Sequence, residues 1–139
     1  MSFLEQLPVS TTLLYAIAGA AILVYLPFLV VAYGRLSAGY DMSAPRATFD
    51  KLPAVAQRAT WAHQNSFESF VLFAAAALMA YVTELNSTLV VGAAIAYLAA
   101  RFFYSVFYIV SVPLLRSLMF LVGSASIATL MVMSLLKVS

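Results

Sequence analysis

Four stretches of this chain carry no charged side chain: from Glu5 to Arg35, from Glu68 to Glu84, from Glu84 to Arg101, and from Arg116 to Lys137. A helix needs about 17 to 25 predominantly apolar residues to cross a bilayer. Backbone in hydrocarbon must satisfy its own hydrogen bonds, which leaves helices and closed barrels as the only spanning structures. Apolar runs near or above this length, without the alternation of a barrel strand, predict helices. At 65% hydrophobic and 9% charged residues, with a mean hydropathy of +1.02, the chain lacks the polar surface of a soluble domain. Its 139 residues allow one domain. The fold class read from these features is all-α, an integral membrane four-helix bundle.

Several functions are excluded at once. The chain has no cysteine, so disulfides, thiolate catalysis and thiolate metal sites are absent. A lone histidine argues against a metal centre, because catalytic zinc sites usually need two or three imidazoles. A net charge of +2 is too small to argue for nucleic acid. The opening "MSFLEQLPVS" lacks the basic region of a secretory signal, so the first apolar segment is expected to be a retained span.

The expected spans cover roughly residues 11–33, 58–82, 89–110 and 114–136, with a polar loop over 34–57. Pro27 is expected to kink the first span. Arg35, Arg46, Lys51 and Arg58 cluster in or beside the first loop, and Arg116 flanks the third. Basic residues favour cytoplasmic loops, so loops one and three are expected in the cytoplasm and both termini outside.

"RATWAHQNSFESF", residues 58–70, departs from this apolar pattern. Charged groups at the centre of a span cost roughly 2.5 to 3.5 kcal/mol each on insertion scales, and they usually face protein or a water-filled cavity. At about 100° per residue, Arg58, Asn65 and Ser69 share one stripe, with Trp61 and Glu68 on its shoulder. His63 points away from Asn65, toward another neighbour. In the third span Tyr97, Arg101, Tyr104 and Tyr108 share a face. Counting helical rise from the loop side puts Glu68 and Arg101 at similar depth, which predicts a salt bridge between them, with Tyr104 and Tyr108 lining the approach. Each residue also has a structural reading. A buried ion pair can fix helix register, an Asn can join two helices, and Arg116 can be a snorkelling residue at a helix start. His63 and Trp61 read as packing or interface anchors. The residues alone give a bundle with a polar recess suited to an anionic guest.

"RATWAHQNSFESF", "ARFFYSVFY" and "PLLRS" together resemble the MAPEG family, the membrane-associated proteins in eicosanoid and glutathione metabolism. Ala62, His63, Asn65 and Glu68 keep that family's A-H-x-N-x-x-E spacing. The resemblance runs from about Arg46 to the C-terminus, and the first span matches in hydropathy alone. It implies a homotrimer that binds glutathione at subunit interfaces, open toward the cytoplasmic half of the membrane. On that reading Asn65 and Glu68 hold the tripeptide's backbone and amino group, and Arg58 is available for a carboxylate. Arg101, Tyr104 and Tyr108 contribute from the third helix, and Arg116 is the catalytic arginine that stabilises the glutathione thiolate. Glutathione enters as co-substrate, with no metal. Membrane lipids or an apolar electrophile are the other partners. Two positions depart from the pattern. Trp61 stands where well-studied transferases carry arginine, with Arg58 one turn earlier as the candidate replacement. The spacing from Tyr108 to Arg116 also differs from that of leukotriene C synthase.

Three functions stay open on these grounds. The first is a glutathione-dependent transferase or peroxidase acting on membrane-dissolved electrophiles or lipid hydroperoxides. The second is a non-catalytic protein of the same family that binds lipid or a partner. The third, a small proton-coupled exporter, ranks last because such exporters carry their essential carboxylate in the first helix, and the first span here has no ionisable group.

Overall fold

The computed structural model describes residues 3–139, without the side chain of Phe3. Four helices account for most of it: α1 (Val9–Ser37), α2 (Ala54–Val82), α3 (Thr88–Ile109) and α4 (Pro113–Val138). Each is long and apolar enough to cross a membrane. Short 3-10 turns precede α1 and interrupt the α1–α2 loop at Phe49–Lys51. Helix α2 starts at Ala54, one turn ahead of the expected start near Arg58, so that Arg58 and Trp61 lie within the helix.

Local chemistry explains the boundaries. Pro8 and Pro53 stand just before α1 and α2, and Pro113 opens α4. There a missing N–H costs nothing and the fixed φ suits a helix. The Ser87 side chain accepts a hydrogen bond from the Leu89 N–H at 3.2 Å and caps α3. Helices α2 and α3 end in the same way. Glu84 (φ 52°) and Ser111 (φ 62°) take the left-handed conformation. The following N–H groups reach back, Leu85 to the Ala80 carbonyl (3.1 Å) and Val112 to the Phe107 carbonyl (2.9 Å). This is the Schellman termination, which usually uses glycine.

Helices α2 and α3 each contact the other three, while α1 and α4 occupy opposite flanks. Small residues permit this closeness. Ala56, Ala59, Ala62, Ser66, Ala76, Ala77 and Ala80 make up most of the buried stripe of α2. Gly34 of α1 lies so close to α2 that a Cβ there would collide with the Ala56 methyl. The apolar core gathers Leu13, Ala16, Ala20, Phe73, Ala76, Ala77, Ala80, Val90, Ala94 and Leu130. It fills the end of the bundle away from the α1–α2 loop. Phe73 stacks on Tyr97 with centroids 3.8 Å apart and planes 2° from parallel.

Pro27 breaks one hydrogen bond of α1 without ending the helix. Beside it, the Val24 carbonyl accepts a hydrogen bond from His63 Nδ1 at 2.7 Å. A carbonyl can only accept, so Nδ1 carries the proton. The ring is enclosed by Tyr25 and Phe28. His63 therefore joins α2 to α1, the neighbour opposite to the one Asn65 faces.

Candidate functional site

At the loop end of the bundle, side chains form an inner cluster and two cavities. The inner cluster surrounds Arg101, which is 3% exposed. Its guanidinium donates from one nitrogen to Asn65 Oδ1 (3.0 Å) and Ser66 Oγ (3.2 Å) of α2. Its Cζ lies 4.1 Å from the Tyr104 ring centre. The Nε is buried with no hydrogen-bond partner. Ser105 stands 3.5 Å from Ser66, and Gly123 of α4 lies beside the arginine stem.

The expected Glu68–Arg101 salt bridge is not formed. Arg101 turns inward to Ser66 and Asn65, while Glu68 is exposed and lines a cavity on the α1 side. The reason is rotation. Asn65 and Ser66 bound a sector of about 100° on α2, and Glu68 lies about 60° beyond Asn65, outside it, at about 100° per residue. Arg101 donates to neutral acceptors and makes a cation–π contact instead.

A smaller cavity of about 130 Å³ is lined by Arg58, Trp61, Phe107, Tyr108, Ser111, Val112, Pro113 and Arg116. The Arg58 Nε donates to the Ile109 carbonyl at 2.9 Å, which fixes the start of α2 to the last turn of α3. Arg116 lies in the first turn of α4, its Cζ 4.7 Å from the Tyr108 ring centre. A cation at a helix N-terminus meets the positive end of the helix dipole, and no acid lines this cavity to compensate. Two arginines and the N-terminus of α4 thus bring positive potential to this volume, offset in part by the C-terminal carbonyls of α3, one of which accepts from Arg58. Tyr104 and Tyr108 pack edge to face at 5.6 Å and connect this cavity to the inner cluster.

A larger cavity of about 710 Å³ lies between α1, the α1–α2 loop and α2. Phe28, Arg35, Arg46, Phe49, Trp61, His63, Gln64, Phe67 and Glu68 are among its lining residues. Trp61 borders both cavities and packs on Phe49 at 5.6 Å.

A profile of the MAPEG family matches residues 12–136 of the 139-residue chain. The chain belongs to the MAPEG family. The match takes in the first helix, which motif resemblance had reached only through hydropathy. With four helices of spanning length, this MAPEG member is an integral multi-pass membrane protein. Comparison with curated proteins and with solved structures gave no match.

Within the chain the candidate site residues fall in three places. Arg58, Tyr108 and Arg116 share the small cavity, Asn65, Arg101 and Tyr104 form the inner cluster, and Glu68 faces the α1 side. Sequence reasoning missed Ser66, although its place on the buried stripe of α2, one turn beyond Ala62, was a usable signal. It also missed Arg35, in the last turn of α1, and Arg46 as cavity-lining residues, because a loop without periodicity gives no hint of where it folds back.

Proposed function

We propose that this MAPEG protein is a glutathione-dependent transferase or peroxidase acting on apolar electrophiles or lipid hydroperoxides dissolved in the membrane. The observation that carries this reading is the acid-free cavity where Arg58, Arg116 and the start of α4 converge beside Tyr108. A cysteine-type thiol has a pKa near about 8.5. A fixed cation that favours the anion raises the fraction of nucleophile at neutral pH. In transfer, the thiol gives up its proton, the thiolate sulfur bonds to the electrophilic carbon, and the leaving group departs with the bonding pair. Arg116 is the catalytic group that holds the sulfur as thiolate.

The small cavity cannot enclose a tripeptide, so the rest of glutathione extends along α2. Arg58 receives a carboxylate through the guanidinium edge not committed to Ile109. Arg101 fixes Asn65 through Oδ1, which leaves the Asn65 amide nitrogen to donate to the peptide. Tyr104 and Tyr108 wall the cleft, and Glu68 takes the amino group. Glu68 is exposed well inside a span, where an uncovered carboxylate is costly. A second copy of the chain laid against this face would cover it, in keeping with a homotrimer and sites shared between subunits. The cleft opens to the cytoplasmic half, with both termini outside, as the basic residues around the first loop favour.

The test is conjugation of glutathione to a reactive aryl halide by detergent-solubilised protein. Arg116→Ala should lower the rate far more than it weakens glutathione binding. Equal losses in both would make Arg116 a binding residue only. Trp61, in the place of the transferase arginine, favours a second reading, a non-catalytic binder of lipid or a partner. That reading predicts thermal stabilisation by ligand with no turnover.

A further inference from the structure

Arg58, Arg101 and Arg116 are held by different means. Arg58 is anchored to the Ile109 carbonyl, and Arg101 to Asn65 and Ser66. The Arg116 guanidinium has no hydrogen bond and no ion pair among the described residues. What it meets is the Tyr108 ring, whose centre is 4.7 Å from its Cζ. Other forces act to move it elsewhere. The N-terminus of α4 and Arg58 both present positive charge to it. A long basic side chain at a helix end also tends to reach for the aqueous interface. A guanidinium free to swing would spend little time in the small cavity.

The ring that faces Arg116 belongs to a lattice across two helices. Tyr104 and Tyr108 stand one turn apart on α3, and Arg116 and Phe120 one turn apart on α4, so each pair shares a face. Tyr104 meets Tyr108 at 5.6 Å with planes 73° apart. Across the helices, Tyr108 meets Arg116 and Tyr104 meets Phe120 at 6.5 Å. Behind Tyr104 lies the Arg101 guanidinium, its Cζ 4.1 Å from the ring centre. Tyr104 and Arg101 are both buried, so the bundle itself sets this corner. Tyr108 is also fixed at its backbone, where its carbonyl accepts from the Ser111 N–H at 3.2 Å in the turn that ends α3. Neither tyrosine hydroxyl has a hydrogen-bond partner among the described residues, so the contacts of both residues are made by their rings.

We propose that Tyr108, backed by Tyr104, is a positioning residue that holds the Arg116 guanidinium in the small cavity, and that its ring rather than its hydroxyl does so. A cation over an aromatic face is attracted by the ring quadrupole, most strongly away from water. Edge-to-face packing against Tyr104 keeps the Tyr108 ring from turning. The clamp is a property of the free protein; its chemical purpose, keeping a sulfur anionic, rests on the thiol reading.

Full-length protein in detergent, without ligand, tests the clamp by NMR relaxation of the arginine Nε–H groups. Arg116 should be as ordered as Arg58 and Arg101. Tyr108→Leu should free Arg116 while Arg58 and Arg101 stay ordered, which also reports that the variant is folded. Tyr108→Phe, which keeps the ring, should hold Arg116 still, and Tyr104→Leu should loosen it in part. A mobile Arg116 in the unsubstituted protein, an equally ordered one in Tyr108→Leu, or a loss of order in Tyr108→Phe would overturn the proposal. The chemical consequence is read in the glutathione complex, by titrating the bound thiolate through its ultraviolet absorbance. Losing the clamp raises the thiol pKa, so Tyr108→Leu should show about tenfold less thiolate at neutral pH, the effect of about one pKa unit. The thiolate should recover as pH rises, with little change in glutathione affinity, and Tyr108→Phe should retain the lowered pKa. A Tyr108→Leu variant that loses affinity but keeps the original thiol pKa would make the residue a wall of the cleft and overturn the proposal. Absence of glutathione binding to protein with an ordered Arg116 would strike the thiol reading and leave the clamp standing.

Discussion

The two ends of the bundle solve the same problem with different materials. Away from the α1–α2 loop, helices meet through alanines, Leu13, Val90, Leu130 and the stacked Phe73–Tyr97 pair. The Ser134 hydroxyl there bonds to its own helix, and a cavity of about 700 Å³ lies between the start of α1 and the α2–α3 turn, lined by Leu13, Ala80 and Leu85 among others. At the loop end, contact between helices runs through His63 to Val24, Arg58 to Ile109 and Arg101 to Asn65, and both arginine-lined cavities lie there. In a bilayer, apolar burial gives little drive for one helix to choose another, so packing and interhelical hydrogen bonds must do it. The comparison teaches that one end joins its helices by apolar contact and the other by polar contacts.

The largest test of that division is Phe73→Ala. It removes a fully buried ring at the packed end and should destabilise the protein by about 3 to 5 kcal/mol, read as a drop in the thermal midpoint in detergent. Arg101→Met should behave in the opposite manner. Replacing a buried charge by an apolar chain of similar length is often neutral or stabilising by about 1 to 4 kcal/mol, so the midpoint should hold or rise while glutathione affinity falls. A midpoint loss as large as that of Phe73→Ala would erase the distinction between the two ends. His63→Leu removes one interhelical hydrogen bond beside Pro27 and should cost about 1 kcal/mol. Hydrogen exchange should rise in α1 around Val24 more than in α4.

The smallest effects belong to the paired helix ends. Glu84→Gly and Ser111→Gly relieve the same left-handed strain, worth roughly 1 kcal/mol, offset in part by the extra freedom glycine has when unfolded. Chemical denaturation should show a modest gain for each. Because Ser111 lines the small cavity, only Ser111→Gly should also alter glutathione affinity.

The number of helices was legible because charge-free runs of spanning length leave no other regular structure. The polar residues of α2 and α3 were legible as a set for the complementary reason, being expensive where they stand. Their partners were not. A helical wheel orders the residues of one helix around its own axis, and says nothing of how two helices are rotated toward each other. Glu68 and Arg101 agreed in depth and failed in rotation, whereas Asn65 and Ser66 supplied the contact. Pro27 was visible as an interruption, but that His63 would bond beside it depended on α1 lying against that face of α2. The cavity with Arg35 and Arg46 depended on how the loop folds back, which turn-forming residues do not specify.

The bond from Arg58 to the Ile109 carbonyl has an effect on any anion that reaches the small cavity. A free arginine gives up several rotatable bonds when it grips a guest, and that loss weakens the grip. Arg58 is already immobilised by its own protein, one edge anchored and the other presented, so an incoming anion meets a socket whose shape exists before it arrives.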